Sequence, residues 1–470
     1  MTVLPARGQR RIPASDGLLR SGGAAAAVIL AVAALYAQPP LPLVAVLLLI
    51  AVVVAALHPP GVVVAVPAAL AVIEVPVAIS TLAFNPAEIL LAAAVAGVGL
   101  RAGIALLGHG PATVRPALAR AITLARTGFG PVALALLAVG VLSLFVVADP
   151  SHRRESLREF RWVIVEPVLL AFLARWYLTR PADRCFAAGL YTGAAAGAAL
   201  YAVAAGLGGN GVAVEGVVRI SGTYPHPNAL ALYLERVVPF AAALGIAFRA
   251  RADRRWLVVA AVCAGGLLLT FSRGAYLGTA AGLLAVAWLA GRRRLAAGIA
   301  LGGAALALVL LLVAGQRLLS LFEGGSGSLR LAIWQSSLAM IRDEPIFGVG
   351  LDQFLYQYAP RYVRPEAWPE RFTSHPHNLI LDLWLRLGIM GLGVAATYAV
   401  ALGRRVHRIV DRHSRLGLAA LGAIVAGAIH GLVDNGYFLP GLALAFWFVT
   451  ALIDLEVDGT GAAGSGVDGS

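Results

Sequence analysis

Apolar runs about as long as a membrane-spanning helix recur from the N-terminus of the chain to about residue 455. A helix that crosses the hydrocarbon of a bilayer needs roughly 20 apolar residues. The composition agrees with this pattern, because 60% of the 470 residues are hydrophobic and only 13% are charged, and the mean hydropathy is +0.83. The runs therefore predict an all-α, polytopic integral membrane bundle of about twelve to fourteen transmembrane helices.

The predicted organisation is one transmembrane domain at 23–458 with a short extension at each end. The segment 1–22 is predicted to be cytoplasmic, and the apolar run behind it is interpreted as the first membrane helix because no small-residue cleavage site follows. The Gly-rich tail at 459–470 is expected to be disordered. The two cysteines, Cys185 and Cys263, lie far apart in sequence and imply neither a disulfide framework nor a thiolate metal site.

Arginines mark the loops that are predicted to face the cytoplasm. All 37 basic residues are arginine, and most lie in short segments between apolar runs, such as 115–126, 249–255 and 404–415. These segments alternate with loops that carry little positive charge, apart from the loop at 149–160 and the long loop at 315–378, which is the pattern of the positive-inside rule. The net charge of +13 is therefore interpreted as a topology signal and not as a nucleic-acid-binding surface.

The longest connection, residues 315–378, is predicted on the opposite, non-cytoplasmic side. After Ser328, a residue type that caps helices, apolar side chains recur at helical spacing. They are Leu331, Trp334, Leu338 and Ile341. This pattern predicts an amphipathic helix near the membrane surface within the large loop.

Three arginines lie in segments predicted on that same side: Arg219, Arg273 and Arg330. Arg273 lies between two apolar runs with almost no loop, and an arginine at membrane depth costs about 2.5–3.5 kcal/mol on insertion scales. An anionic ligand would account for this position, and so would an anchor that snorkels to the lipid headgroups. For Arg330 a solvated helix face is the simpler explanation, and for Arg219 both remain open. Three converging guanidinium groups would suit a pyrophosphate, which accepts bidentate, charge-assisted hydrogen bonds.

Two histidines, His375 and His377, precede an apolar run in the sequence TSHPHNLILDLWLRLGIMGL at 373–392. An imidazole at the boundary between water and membrane suits a general base, although a structural role at a helix start is also open and either histidine is a candidate. Their spacing resembles a metal-ligand pair, but no carboxylate or cysteine cluster accompanies them closely in sequence, so neither a metal nor another cofactor is expected. Asp434 is a candidate for orienting a histidine, for binding sugar hydroxyls, or for capping the next helix.

Two further charged pairs are expected to be structural. Asp382 and Arg386 are four residues apart, which places them on one helix face, and Glu235 and Arg236 are neighbours in another apolar run. The chain has no lysine and no GxxxxGK[ST] phosphate-binding loop, so cytosolic nucleotide chemistry has no support.

The segment HNLILDLWLRLGIMG at 377–391 resembles the His-Asn-x9-Gly-x-x-Gly signature of the bacterial O-antigen ligases. Three more segments resemble parts of that family, and together the similar regions cover about 217–440. They are SGTYPHPNALALYL, TFSRGAYLG and RLAIWQSSLAMIRDEPIFGVGLDQF. O-antigen and exopolysaccharide polymerases belong to the same superfamily, and their motifs overlap with those of the ligases.

The resemblance implies a metal-independent, inverting glycosyltransferase with GT-C-like helical architecture in the bacterial inner membrane, with its active site and the large loop facing the periplasm or cell exterior. It implies that the donor is a glycan linked to undecaprenyl pyrophosphate, and it leaves the acceptor open between lipid A core, another glycan and a surface protein. By analogy His377 is the catalytic base, Arg219 and Arg273 hold the pyrophosphate, and Arg330 is a further candidate for that role. Supporting positions are Asn378, Asp434, His375 and Asn228.

Other functions stay open at this point. A polymerase of O-antigen or exopolysaccharide would use the same donor. A membrane transporter would also need many spans and buried ion pairs, but the paired halves with broken helices that transporters often show are not recognisable here. A peptidoglycan polymerase shares lipid-pyrophosphate chemistry, but its motifs are not recognisable in this chain. The lipid bilayer is an expected partner in every case, and nucleic acid is not.

Overall fold

Helices form almost all of the regular structure in the computed structural model, which describes residues 14–214, 217–246, 253–305 and 326–458. In chain order they are α1 (Ala14–Leu35), α2 (Leu41–Leu57), α3 (Pro59–Ala69), α4 (Pro86–His109), α5 (Val114–Arg126), α6 (Gly130–Phe145), α7 (Arg153–Glu159), α8 (Glu166–Tyr177), α9 (Pro181–Leu207), α10 (Pro227–Ile246), α11 (Arg254–Leu268), α12 (Arg273–Leu289), α13 (described over 293–305), α14 (Ser326–Asp343), α15 (Phe354–Gln357), α16 (Leu379–Asp411), α17 (Arg415–Gly431) and α18 (Pro440–Val457). Short strands form two antiparallel hairpins, β1 (Val77–Ile79) with β2 (Leu82–Phe84) and β3 (Val212–Val214) with β4 (Val217–Arg219).

The predicted all-α, polytopic membrane fold is confirmed. Within the described ranges, six helices are long and apolar enough to cross a membrane, or seven if the bent pair α5–α6 is one span. This number is lower than the twelve to fourteen spans predicted, because several apolar runs form helices shorter than about 20 residues. Examples are α2, α12 and α17, which have 17 residues each.

Some predicted segments lie wholly or partly outside the described residues. They are the tail at 459–470, residues 1–13 of the predicted cytoplasmic segment, and residues 315–325 of the long loop.

Glycines spaced four residues apart bring α12 into close contact with α17. A Cβ added at Gly278 would lie 2.6 Å from the carbonyl oxygen of Ala426, and one at Gly282 would lie 2.7 Å from that of Gly422. Small residues at this spacing let two helix backbones approach closely within a membrane. The N-terminal end of α12, which begins with Arg273, is thereby held beside the C-terminal end of α17.

A break at Gly388 divides α16 and attaches the long loop to it. Gly388 has φ +65° and ψ −166°, a conformation that favours glycine, and a Cβ there would lie 2.0 Å from the carbonyl oxygen of Ile346. The loop closes on the break, because the N–H of Ile389 donates to Ile346 O (3.0 Å) and the N–H of Val349 donates to Leu385 O (2.7 Å). The kink therefore fixes the loop against the first half of α16, which directly follows the two candidate histidines.

The predicted helix of the long loop is present as α14, but it begins at Ser326, so Ser328 lies inside the helix and is not its cap. Its buried apolar side chains pack in a small core that belongs to the loop and the start of α16. That core contains Ala332, Ile333, Met340, Ile341, Val349, Phe354, Tyr358, Ala367 and Leu385. Leu331 and Leu338 are exposed on the other side of the helix, and the placement of α14 near the membrane surface stays a prediction.

Candidate active site

A cavity of about 780 Å³ opens at one end of the bundle, between α10, α12 and α17 and the loop that contains α14. It is lined by seven of the eight candidate site residues that the sequence indicated. They are Arg219, Arg273, Arg330, His375, His377, Asn228 and Asp434. Because these side chains come from segments more than 200 residues apart in sequence, only the fold brings them together.

Arg273 is the first residue of α12 and follows a connection of only a few residues after α11. Its side chain is exposed to the cavity, and among the described residues it has neither a hydrogen-bond nor an ion-pair partner. The helix N-terminus adds partial positive charge at the same place. This part of the cavity therefore favours an anion.

Arg219, the last residue of β4, is oriented by two hydrogen bonds. Its Nε donates to the carbonyl oxygen of Thr270 and its terminal nitrogen donates to Oδ1 of Asn228, both at 2.5 Å. Thr270 lies three residues before Arg273, so the first bond ties Arg219 to the turn that carries the second arginine. Asn228 thus positions a guanidinium group within the cavity wall.

His377 and Asp434 form the polar centre of the cavity. Nδ1 of His377 lies 3.1 Å from Oδ1 of Asp434, and Nε2 lies 3.4 Å from the hydroxyl of Thr373. If the carboxylate accepts the Nδ1 proton, Nε2 is the basic nitrogen. The backbone of His377 has φ +53°, a conformation that non-glycine residues rarely adopt and that requires support from the surrounding structure.

Asn378 does not line the cavity, but it supplies part of that support. Its Oδ1 accepts from the N–H groups of Ile380 (3.0 Å) and Leu381 (3.1 Å) and so caps α16. Its Nδ2 donates to the carbonyl oxygen of Leu432 at 2.9 Å. One side chain therefore connects the histidine segment to the turn that carries Asp434.

Asp434 lies in the turn between α17 and α18 and is 4% exposed. Burial on its own would raise the pKa of Asp434, but the contacts with His375 and His377 outweigh burial and hold this pKa well below its usual range. Asp434 is therefore ionised at neutral pH. Its predicted alternative role as a helix cap is wrong, because Leu439 occupies the N-cap position of α18.

Arg330 and His375 also approach this carboxylate. A terminal nitrogen of Arg330 lies 3.4 Å from Oδ2 of Asp434, and Nε2 of His375 lies 3.7 Å from Oδ1. Burial lowers the pKa of His375, although the nearby Asp434 opposes the change. His375 is therefore neutral near pH 7, and it reaches Asp434 less closely than His377 does.

Residues 258–396 match the family model described as O-antigen ligase. This part of the chain, less than a third of its length, is similar to the O-antigen ligase family. The matched region runs from α11 into the second half of α16, and it contains Arg273, Arg330 and His377. No curated protein shows a significant match. The match favours a membrane glycosyltransferase of the ligase or polymerase type, and the apolar helices favour a multi-pass membrane protein.

The cavity also contains the one three-residue group, within the described chain, whose side chains could hold a metal ion. His375, His377 and Asp434 each place one ligand atom within 4.8 Å of the others. The sequence did not show this carboxylate beside the histidines, because it lies 57 residues after His377. Arg330 already supplies positive charge to Asp434, which makes the group less favourable for a divalent cation.

His430 and Glu235 are functional candidates that the sequence did not indicate. His430 lines the cavity, its Nδ1 lies 2.5 Å from Oε2 of Glu235, and its Nε2 lies 3.9 Å from Oδ2 of Asp434. Both residues are almost fully buried. The four-residue spacing of His430 and Asp434 in the sequence could have indicated that their side chains lie close together. Glu235 was predicted to pair with Arg236 only.

The two predicted ion pairs are present in the structure. Nε of Arg386 lies 2.6 Å from Oδ1 of Asp382, and Arg236 lies 2.8 Å from Oε1 of Glu235. Arg386 also donates to the carbonyl oxygen of Ser374 at 3.1 Å. Arg386 therefore connects the ion pair to the segment that carries both histidines.

Proposed function

We propose that the protein is a ligase-type glycosyltransferase that moves a glycan from undecaprenyl pyrophosphate to a hydroxyl group of lipid A core or another surface glycan. The reaction takes place on the periplasmic side of the bacterial inner membrane, inverts the anomeric carbon and needs no metal. The observation that carries the proposal is the shared cavity, in which a carboxylate-bound histidine faces three arginines.

His377 acts as the general base in this proposal. The ionised Asp434 accepts the Nδ1 proton of His377, which leaves Nε2 free to take the proton of the acceptor hydroxyl. The oxygen of that hydroxyl attacks the anomeric carbon of the donor sugar from the side opposite the pyrophosphate. Asp434 then stabilises the imidazolium that forms, as the carboxylate does in a catalytic triad.

The arginines stabilise the leaving group. As the bond between the anomeric carbon and the pyrophosphate oxygen breaks, negative charge grows on the pyrophosphate, and a preorganised cation lowers the energy of that transition state. Arg273 faces the cavity with no protein partner among the described residues, whereas Arg219 is held in place by Asn228. Arg330, which lies 3.4 Å from Asp434, also lines the cavity and is a further ligand for the phosphate.

A transfer assay in proteoliposomes tests the proposal. The purified protein receives a fluorescent oligosaccharide linked to undecaprenyl pyrophosphate, with lipid A core as acceptor and EDTA present. We expect labelled lipid A core and released undecaprenyl pyrophosphate, and we expect neither with His377→Ala.

Growth of the lipid-linked glycan without transfer to lipid A core would instead identify a polymerase. Movement of a solute across the membrane without any transfer would identify a transporter, and loss of transfer in EDTA would contradict the metal-independent mechanism.

A further inference from the structure

We infer that α5 lies on the membrane surface at the end of the bundle opposite the cavity, where Arg115 and Arg126 bind the headgroups of anionic phospholipids. The inference does not depend on the proposed reaction, because none of the residues involved lines the cavity.

The sequence of α5 separates apolar from basic side chains around the helix. At about 100° per residue, Val114, Leu118 and Ile122 fall on one stripe, and Arg115 and Arg126 lie next to each other at its edge. The three apolar side chains are 46%, 57% and 42% exposed, respectively. An apolar stripe bordered by arginines is the pattern of a helix that lies in the interface of a bilayer.

The turn after α5 holds this helix almost at right angles to α6, at 84°. Gly128 has φ +62°, and a Cβ there would lie 2.2 Å from the carboxylate of Asp454. The N–H of Phe129 donates to the same carboxylate at 2.9 Å, and Arg175 donates to the carbonyl oxygen of Leu124 at 2.8 Å. If the apolar α6 crosses the bilayer, α5 is therefore fixed parallel to the membrane plane.

One edge of α5 packs against the protein, and the other edge is exposed. The guanidinium group of Arg120 lies 4.7 Å from the ring centre of Trp176 and donates to the carbonyl oxygen of that residue at 2.6 Å. Arg115 and Arg126 lie on the other edge and are exposed. In the described part of the chain neither of them has a hydrogen-bond or ion-pair partner.

The charge of the surrounding sequence favours a lipid with a negative headgroup. Between Glu88 and Asp149 the chain has four arginines and no acidic residue. Each basic residue near a bilayer surface gains roughly 1 kcal/mol from anionic lipid, which is about fivefold in relative association. The apolar stripe and the two arginines lie on one exposed side of a helix parallel to the membrane. A single lipid leaflet can therefore contact the stripe with its acyl chains and bind the arginines with its headgroups.

Site-directed fluorescence tests the placement. Cys185→Ser and Cys263→Ala remove the native thiols, and Leu118→Cys or Thr123→Cys then introduces one label on the apolar or the polar side of α5. The proteins are placed in phosphatidylcholine vesicles with brominated acyl chains, and iodide is the aqueous quencher. We expect brominated lipid to quench the label at 118 and iodide to quench the label at 123. Iodide quenching at both positions would overturn the placement. A label at 118 that neither quencher reaches would also overturn it, and would indicate that protein covers this side of α5.

The headgroup preference is tested with the same label at 118. Quenching by brominated phosphatidylglycerol is compared with quenching by brominated phosphatidylcholine. The double substitution Arg115→Gln and Arg126→Gln is expected to lower the preference for phosphatidylglycerol by roughly fivefold for each arginine. Arg342→Gln, which changes an exposed arginine at the end of α14, is the control and is expected to retain the full preference. An undiminished preference in the double variant would refute headgroup binding.

Discussion

The two ends of the bundle carry similar charged residues in different surroundings. At the cavity end, Arg273 is exposed without a protein partner among the described residues, and Asp434 is shared by several cationic or titratable side chains. At the opposite end, Arg175 and Arg405 both lie against the buried Asp454, at 3.1 Å and 3.5 Å. Backbone groups complete the second cluster, because Asp454 also accepts the N–H of Phe129.

The difference separates a binding site from a structural ion cluster. A guanidinium group whose hydrogen bonds go to protein atoms stabilises the fold, and removing one partner leaves a buried charge without compensation. A guanidinium group that faces an open cavity remains available to an anionic ligand. Substitutions at the cavity end are therefore expected to change transfer and preserve stability, and substitutions at the opposite end are expected to do the reverse.

His377→Ala gives the largest expected effect. Loss of a general base lowers a rate by about 10²- to 10⁴-fold, and the thermal midpoint of the variant is expected to stay near that of the wild type. The initial rate of transfer in proteoliposomes is the measurement. His375→Ala is the matched control, because His375 lies farther from Asp434, and it is expected to lose less than tenfold. A larger loss for His375→Ala than for His377→Ala would exchange the roles of the two histidines.

Asp454→Asn is the complementary test at the opposite end. The change leaves Arg175 and Arg405 without their shared carboxylate, which is expected to lower the free energy of unfolding by about 3–5 kcal/mol. Transfer per folded molecule is expected to stay unchanged. Thermal unfolding in detergent provides the measurement, and Asp458→Asn, at an exposed site nearby, is the control with an expected effect below about 1 kcal/mol. A stable Asp454→Asn variant with impaired transfer would remove the distinction between the two ends.

Arg273→Gln is expected to reduce transfer by about 10- to 100-fold, because a hydrogen bond to a charged group contributes about 1.5–3 kcal/mol. The thermal midpoint should not fall, since no protein partner is lost among the described residues. Arg255→Gln is the control, because Arg255 is exposed and pairs with Asp253 away from the cavity. Full activity of Arg273→Gln would show that this arginine does not contact the pyrophosphate.

The smallest expected effect is on the pH dependence of stability. Burial lowers the pKa of His375, so below its ordinary pKa of about 6.5 the unfolded chain binds more protons than the folded protein does. The stability that depends on neutral His375 is present at neutral pH and is lost as the pH falls through that region. In His375→Gln, the free energy of unfolding is expected to fall less steeply as the pH decreases, by at most about 1.4 kcal/mol per pH unit. The measurement is the thermal midpoint as a function of pH. His109→Gln, at an exposed site, is the control, and an equal change in both variants would contradict the assignment.

The helical membrane fold was predictable because hydrocarbon leaves backbone groups no partners except those within a helix. Because a charged side chain is costly at membrane depth, Arg273 between two apolar runs was predicted to need an anionic ligand or an interfacial position. The ion pair of Asp382 and Arg386 was predictable from their helical spacing. The number of spans was less predictable, because an apolar run does not show where its helix ends, and α2, α12 and α17 have only 17 residues each.

The sequence by itself determined the class of fold. It also indicated which arginines are too costly for an apolar environment unless they have a partner or a ligand, and it showed that two histidines precede a helix. The tertiary structure alone decided which of them meet. Asp434 joins His377 across 57 residues, Asn378 bonds to Leu432, and Glu235 holds His430 across 195 residues. Periodicity reports the environment of a residue along its own helix, whereas these contacts depend on how the helices pack against one another, and no local pattern carries that information.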